Sequence, residues 1–207
     1  MIVLDTLAAR LATEMADLAA RPYPHAVVIP GDRGDRLVVH LQEFPDGHGD
    51  TTLFFVNIAL CPVAWAAWID GITLAQARGL PPDAAAQLLW DRLDPPTFGP
   101  CWQLTRGDLD QVLHTLLSAL RVELSHHWLP LLSRDNLRQR LRSGGQLPGA
   151  GISGKNAQIA QLLCVVEDMP ATDRTQLLAF FRKRQADGDV ELGVLADWLD
   201  SAFPASD

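Results

Sequence analysis

The sequence predicts an α+β fold, in which a small antiparallel sheet of three to four strands is packed by a long kinked helix and followed by a C-terminal all-helical mini-bundle. Apolar residues keep a helical period across residues 105–141, and three short β-like runs precede that stretch. A segment with five glycines follows it and leads into three more helical patterns. We therefore predict an α+β domain over residues 1–142, a Gly-rich linker over 143–155 and a three-helix bundle over 156–207.

The composition is that of a globular chain, because 48% of the 207 residues are hydrophobic and 20% are charged. No apolar run approaches the roughly 20 residues needed to cross a bilayer, so we expect no membrane partner. The N-terminus lacks the basic start and cleavage site of a secretory signal, and we expect a cytoplasmic location. Cys61, Cys101 and Cys164 lack CxxC spacing and lie in apolar contexts, which predicts buried, reduced thiols.

The chain is acidic, with a formal net charge of −8 and an isoelectric point near 5.1. A nucleic-acid-binding protein needs a basic face, so the charge argues against nucleic acid as a partner. An acidic surface would steer a basic protein partner toward the chain, although ordinary solubility explains the same charge.

The first elements are predicted to be a helix and a three-stranded meander. Apolar side chains recur at helical spacing over residues 2–20, and strands are predicted over 25–29, 36–44 and 51–60. The turns between these strands are rich in Gly and Asp, which favours antiparallel pairing. In the third strand one face is wholly apolar and the other nearly so, which predicts a central strand covered on at least one side by the long helix.

The next segment is predicted to be mainly helical. Trp65 and Trp68 share one face of a short helix over residues 63–69, and a further helix is predicted over 83–93. Residues 101–104 are predicted to form a fourth strand.

The long helix begins after Thr105 and Asp108, whose side chains are typical of a helix start. Pro130 predicts a kink or an end near His127, and a second short helix is predicted to restart at Ser133. One face carries the apolar residues, namely Leu109, Val112, Leu113, Leu116, Leu117, Leu120, Leu124, Trp128 and Leu131. This face is expected to be buried.

The order of these elements resembles a known family. A leading helix, a meander ending in the FFVNIA run of residues 54–59, a tryptophan-bearing segment, a strand with Trp102, and a long helix closing on the LPLLS run of residues 129–133 resemble the bacterial family called domain of unknown function 4304. The resemblance covers roughly residues 1–142. It implies an α+β fold and no established activity.

The glycine-rich linker contains a phosphate-loop-like spacing. Gly149, Gly154 and Lys155 fit the pattern G-x-x-x-x-G-K, and a helix is predicted to follow. The preceding segment is not a strand, Asn156 lacks the hydroxyl that would hold magnesium, and only about fifty residues remain for a parallel sheet. We favour a plain linker, with a nucleotide site as the alternative.

Glu123, His126 and His127 form the best metal-like cluster, because Glu123 and His127 lie one turn apart on the long helix. The alternative is a solvated polar face opposite the apolar one, which we favour because the spacing is not that of HExxH.

These observations predict a non-enzymatic protein-binding factor, either toxin-neutralising in the manner of an immunity protein or associated with defence. No nucleophile elbow of the G-x-S-x-G kind is present, and we expect no cofactor. Trp65, Trp68 and Trp102 are the candidate partner-binding residues, because indole side chains are favoured at interfaces, although such residues are more often core. The alternative function is a metal-dependent hydrolase or a nucleotide-binding enzyme.

Overall fold

An antiparallel sheet forms the centre of the protein. The structure is a computed structural model that describes residues 2–203 except 46, 48, 97, 98, 106, 145, 146, 150 and 153. In this part of the chain the strands are β1 (Arg21–Tyr23), β2 (Ala26–Pro30), β3 (Arg36–Phe44), β4 (Thr52–Cys61), β5 (Leu89–Leu93) and β6 (Trp102–Leu104). Strands β1 to β5 are adjacent in sequence order, and β6 pairs with the start of β4 beside the end of β5.

Eight α-helices accompany the sheet in the described part of the chain. They are α1 (Ile2–Glu14), α2 (Val63–Asp70), α3 (Leu74–Gly79), α4 (Leu109–Glu123), α5 (Arg134–Ser143), α6 (Gly154–Leu163), α7 (Ala171–Ala186) and α8 (Val190–Ala202). None of the helices described here is both long enough and apolar enough to cross a membrane.

The predicted α+β class and the antiparallel meander are confirmed, but the sheet has six strands instead of three to four. Strand β1 was missed because it has three exposed residues, including Pro22, and carries no hydrophobic pattern. The helix predicted over 83–93 is wrong, since residues Leu89–Leu93 form β5. This segment pairs with β4 in the register Leu60 opposite Leu89, so long-range pairing overrides a short apolar run that suits either element.

The two faces of the sheet differ in what covers them. One face carries the fully buried β4 residues Phe54, Val56 and Leu60, and it belongs to the core that also contains the buried leucines of α1 and α4. The opposite face of β4 carries Phe55 and Asn57, which remain partly exposed. We call the part of this opposite face around Phe55 and Asn57 the open face.

The long helix bends where the sequence predicts. Helix α4 ends at Glu123, a π-helical turn follows over Leu124–Trp128, and a 3-10 turn containing Pro130 follows over Leu129–Leu132. Helix α5 then resumes, with Leu137 and Leu141 buried. Asp108 is the N-cap residue of α4, and its carboxylate accepts a 2.7 Å hydrogen bond from the Thr105 amide, which precedes the helix. The carboxylate therefore fixes the turn before α4 and makes no side-chain capping bond to the amides of the helix.

The three C-terminal helices dock against the preceding part of the chain. The Trp198 indole donates a hydrogen bond of 3.2 Å to the carbonyl of Ile72 and packs edge-on against Trp68, with 5.9 Å between ring centroids. Arg78 and Arg134 also contact Glu167, which follows α6. The predicted domain boundaries stay a prediction, but the bundle rests on the sheet-containing part of the protein.

All three cysteines are free and buried. Burial raises the pKa of both Cys61 and Cys164 to about 12, against weaker opposing effects from nearby arginines. These thiols are therefore protonated at neutral pH, which makes them poor nucleophiles.

Candidate functional site

A row of three polar side chains crosses the open face. In the sheet register His40 of β3 lies opposite Asn57 of β4, and Asn57 lies opposite Arg92 of β5. Directly opposed residues of antiparallel strands have side chains on the same face, with Cβ atoms about 5 Å apart. The register therefore brings an imidazole, a carboxamide and a guanidinium together on three adjacent strands.

Side chains of the neighbouring row contact this row of polar residues. Asn57 Nδ2 donates a hydrogen bond of 3.0 Å to Gln42 Oε1, which ties the two carboxamides together. The buried Oδ1 atom of Asn57 has no hydrogen-bond partner among the described residues. The Arg92 guanidinium lies over the ring of Phe55, with Cζ 3.9 Å from the ring centroid. Phe44 holds that ring from the side, with the centroids 5.3 Å apart.

A cavity of about 350 Å³ lies beside the row of His40, Asn57 and Arg92. One wall comes from the segment before β5, which is fixed by a 2.8 Å hydrogen bond from the Leu88 amide to the Leu60 carbonyl and by a 3.2 Å bond from the Trp65 indole to the Gln87 carbonyl. The lining residues are Val38, His40, Gln42, Asn57, Ala59, Pro82, Asp83, Gln87, Trp90 and Arg92. The volume lies within the range of small-molecule sites.

The charges in the cavity are unevenly distributed. Burial lowers the pKa of His40, with a further lowering from His25, and the attraction of Asp83 opposes both effects. His40 is therefore neutral at pH 7. In the described part of the chain no carboxylate lies within ion-pair distance of the Arg92 guanidinium, so Arg92 supplies the positive charge of this site. Asp83, which also lines the cavity, supplies a negative charge.

The exposed tryptophan at this site is Trp90, with 54% of its surface accessible. The three tryptophans that we predicted as binding residues lie elsewhere. Trp65 and Trp102 are 7% and 5% exposed and donate to backbone carbonyls, and Trp68 packs against Trp198. Trp90 belongs to the same set of tryptophans but was not selected as a binding residue, because its segment was predicted as a helix that could reach the sheet. Strand alternation places it on the same face as Arg92.

His126 and His127 lie in the π-helical turn after α4, with their ring centroids 6.2 Å apart, and Glu123 at the end of α4 lines a small cavity together with His127. Glu123 Oε1 accepts a 3.1 Å hydrogen bond from the Trp128 indole, and His126 Nδ1 lies 2.8 Å from the carbonyl of Val122. Among the residues that the structure describes, no group of three or more His, Cys, Asp or Glu side chains is arranged to hold a metal ion. The side chains of Glu123 and His126 therefore make their polar contacts within this segment of the chain.

The phosphate-loop-like residues are engaged in protein contacts. Lys155 Nζ lies 2.6 Å from Glu191 and 3.1 Å from Asp189, and hydrogen bonds to these carboxylates raise the pKa of Lys155. Gly154 is the first residue of α6. Gly149 has a φ of +67°, and its amide donates a 3.0 Å hydrogen bond to the carboxylate of Asp91 in β5. The segment therefore packs along the edge of the sheet.

A larger cleft of about 710 Å³ lies between α6, α7 and α8. Its lining is mainly aliphatic and aromatic, and the cations at its rim, Lys155 and Arg184, both lie near Asp189. Because these charges compensate each other, the cleft presents an apolar surface but few groups that could recognise a polar ligand. The open face combines an exposed indole with Arg92, which has no carboxylate within ion-pair distance among the described residues, and we take it as the candidate site.

Comparisons of the chain with protein-family models, with curated proteins and with solved structures found no match. The resemblance to domain of unknown function 4304 therefore stays a prediction, and the function is argued from the site alone.

Proposed function

We propose that this chain is a non-enzymatic protein-binding factor, of the toxin-neutralising or defence-associated kind, and that it binds its partner through the open face. The observation that carries the proposal is the pairing of Trp90, 54% exposed, with Arg92, whose guanidinium lies over the Phe55 ring on the same face of the sheet. Tryptophan and arginine are the residues most enriched at the energetic centres of protein interfaces.

The surroundings of Trp90 also suit a protein interface. Partly exposed Phe44 and Phe55 add aromatic area, and Gln42 and Asn57 add hydrogen-bonding groups at the same surface. Interface centres are typically aromatic, with a polar rim. The net charge of −8 adds a long-range attraction for a basic partner, which raises the rate of association.

The local contacts of the other candidate residues favour binding over catalysis. Lys155 is held by two carboxylates, and Glu123 is bonded to Trp128, so neither supports the nucleotide-binding or metal-dependent hydrolase alternative.

The test is a quantitative capture of the partner from lysate of the organism of origin. Tagged wild-type chain is compared with Trp90→Ala and with Phe180→Ala, whose ring is 55% exposed on α7 and serves as a matched control. We expect one stoichiometric protein on the wild type and on the control, and at least about tenfold less on Trp90→Ala, as for an interface hot spot. Equal capture by Trp90→Ala, or no stoichiometric partner on the wild type, would contradict the proposal.

A further inference from the structure

We propose that the cavity on the open face is a carboxylate-binding site centred on Arg92, and that the partner fills it with an aspartate or glutamate side chain. The identity of the occupant rests on the proposed function, whereas the carboxylate chemistry of the cavity can be tested on the chain alone.

The first argument is the orientation of Arg92. Its guanidinium carbon lies 3.9 Å from the centroid of the Phe55 ring, and Phe55 is itself packed edge-on against Phe44 at 72°. A guanidinium that stacks on a ring uses its planar face and keeps its N–H groups available in the plane. Those N–H groups match the two oxygens of a carboxylate, which form parallel charge-assisted hydrogen bonds with arginine.

The second argument is charge compensation. The chain has 25 acidic residues against 17 basic ones, and Arg10, Arg78 and Arg134 each lie within salt-bridge distance of a carboxylate. Arg92 has no such partner among the described residues, although it lines a cavity. Although Arg92 is exposed, its guanidinium lies over an aromatic ring, and the less polar surroundings on that side strengthen its attraction for an anion.

The third argument is the set of neighbouring donors. Gln42 accepts from Asn57 through its Oε1 atom, which leaves its amide nitrogen as a donor for a ligand. Neutral His40 offers one further N–H group. Because Asp83 also lines the cavity, one positive charge with neutral donors beside it suits a monoanionic carboxylate better than a phosphate dianion.

The walls of the cavity limit the shape and charge of the ligand. Trp90 and Ala59 lie in the row beside Arg92 and offer an apolar surface for the methylene groups of an acidic side chain. Asp83 also lines the cavity, close enough to His40 to interact with it electrostatically, and its charge disfavours a ligand with a second negative charge. A single aspartate or glutamate is therefore favoured over a run of acidic residues, and this local preference is compatible with a partner that is basic overall.

The experiment is an NMR titration of the full chain, followed at the Trp90 Nε1–H and Arg92 Nε–H signals. The probe is N-acetyl-glutamic acid amide, whose single charge is the side-chain carboxylate, and N-acetyl-glutamine amide is the matched neutral compound. We expect saturable shifts of both signals with the acid and none with the amide. Arg92→Gln is expected to weaken binding at least tenfold, and Arg142→Gln, an exposed arginine on α5, is expected to leave it unchanged.

Absence of an Arg92-dependent shift would overturn the site, and so would inorganic phosphate binding as tightly as the acid. These outcomes are distinguishable from failure of the proposed function. Arg92-dependent binding of the acid together with Trp90-independent capture of protein would keep the carboxylate site and remove its protein occupant. Trp90-dependent capture without binding of the acid would keep the proposed function and remove the site.

Discussion

Arg134 and Asp35 form a buried, two-point ion pair across 99 residues of sequence. Arg134 Nε lies 2.8 Å from Asp35 Oδ2, and Nη2 lies 2.9 Å from Oδ1. Asp35 also accepts a 2.8 Å hydrogen bond from the amide of Val63, the first residue of α2. One carboxylate therefore joins the start of β3 to the starts of α2 and α5.

Glu167 extends this pair to the C-terminal helices. Its Oε2 atom lies 3.2 Å from Arg134 Nη1, in an ionic contact that lacks good hydrogen-bond geometry, and its Oε1 atom lies 3.3 Å from Arg78. Burial by itself disfavours the charged form of Arg134, but the hydrogen bonds that Arg134 donates to Asp35 and the attraction of Asp35 and Glu167 outweigh it and raise the pKa of Arg134. The guanidinium is therefore charged in the folded protein.

Replacing Asp35 with Asn is expected to destabilise the protein by about 3–5 kcal/mol, because it leaves the buried charge of Arg134 with one weaker partner. Arg134→Met, which removes the cation, is expected to add little further loss when combined with Asp35→Asn. Urea unfolding measures both effects. If Asp35→Asn lowered the free energy of unfolding by less than about 1 kcal/mol, the stabilising role of this ion pair would be contradicted.

Glu167→Gln tests the attachment of the C-terminal helices. Its side chain is 9% exposed, so we expect a loss of about 1–3 kcal/mol and faster hydrogen exchange at the Trp198 indole, which donates to Ile72. The neighbouring Asp168 is the matched control, because it pairs with Arg33 at the surface with 55% of its side chain exposed. Asp168→Asn is expected to change stability by less than about 1 kcal/mol. Equal effects of the two changes would refute a buried link.

His40 predicts a pH dependence of stability. Burial lowers its folded-state pKa below 6.5, so the unfolded chain binds the proton more readily. The stabilisation from neutral His40 is complete above pH 6.5 and declines as the pH falls from 6.5 toward the folded-state pKa. Urea unfolding between pH 7.5 and 5 is expected to show this decline, and His40→Gln is expected to reduce it. An NMR titration midpoint for His40 at or above 6.5 would show that this assignment is wrong.

Gly149→Ala tests whether Gly149 packs closely against β5. The φ of +67° disfavours a side chain, and a Cβ atom there would clash with the Trp90 carbonyl. Gly144 has a similar φ of +63° with open space around it, so Gly144→Ala measures the cost of the backbone conformation alone. We expect a loss of about 1–2 kcal/mol for Gly144→Ala and a larger loss for Gly149→Ala. Equal losses in thermal unfolding would mean that Gly149 makes no close approach to β5.

The elements with strong local patterns were predictable, and those set by distant pairing were not. Strand β4 and the α4 face around Leu116 could be predicted because their periodicity is unambiguous. Strand β5 could not, because a five-residue segment beginning Leu89-Trp90 fits either element until β4 pairs with it. The candidate site could not be predicted without that strand, because His40, Asn57 and Arg92 come together only through the sheet register.

The burial of the predicted tryptophans has a similar cause. Trp65 and Trp68 were recognised as a helical pair on one face, but their local spacing does not show what packs against them. The segment before β5 accepts the Trp65 hydrogen bond, and α8 places Trp198 against Trp68. Both partners come from other parts of the chain, which a short sequence window does not contain.

Hydroxyl-radical footprinting of the captured complex tests the binding role of the open face most directly. We predict that Trp90 and Phe55 are protected from oxidation in the complex, while Phe180 and Val194, which are 55% and 52% exposed in the C-terminal helices, are labelled as in the free chain. Protection confined to Phe180 and Val194, with Trp90 labelled as before, would contradict the account and assign binding to the C-terminal helices.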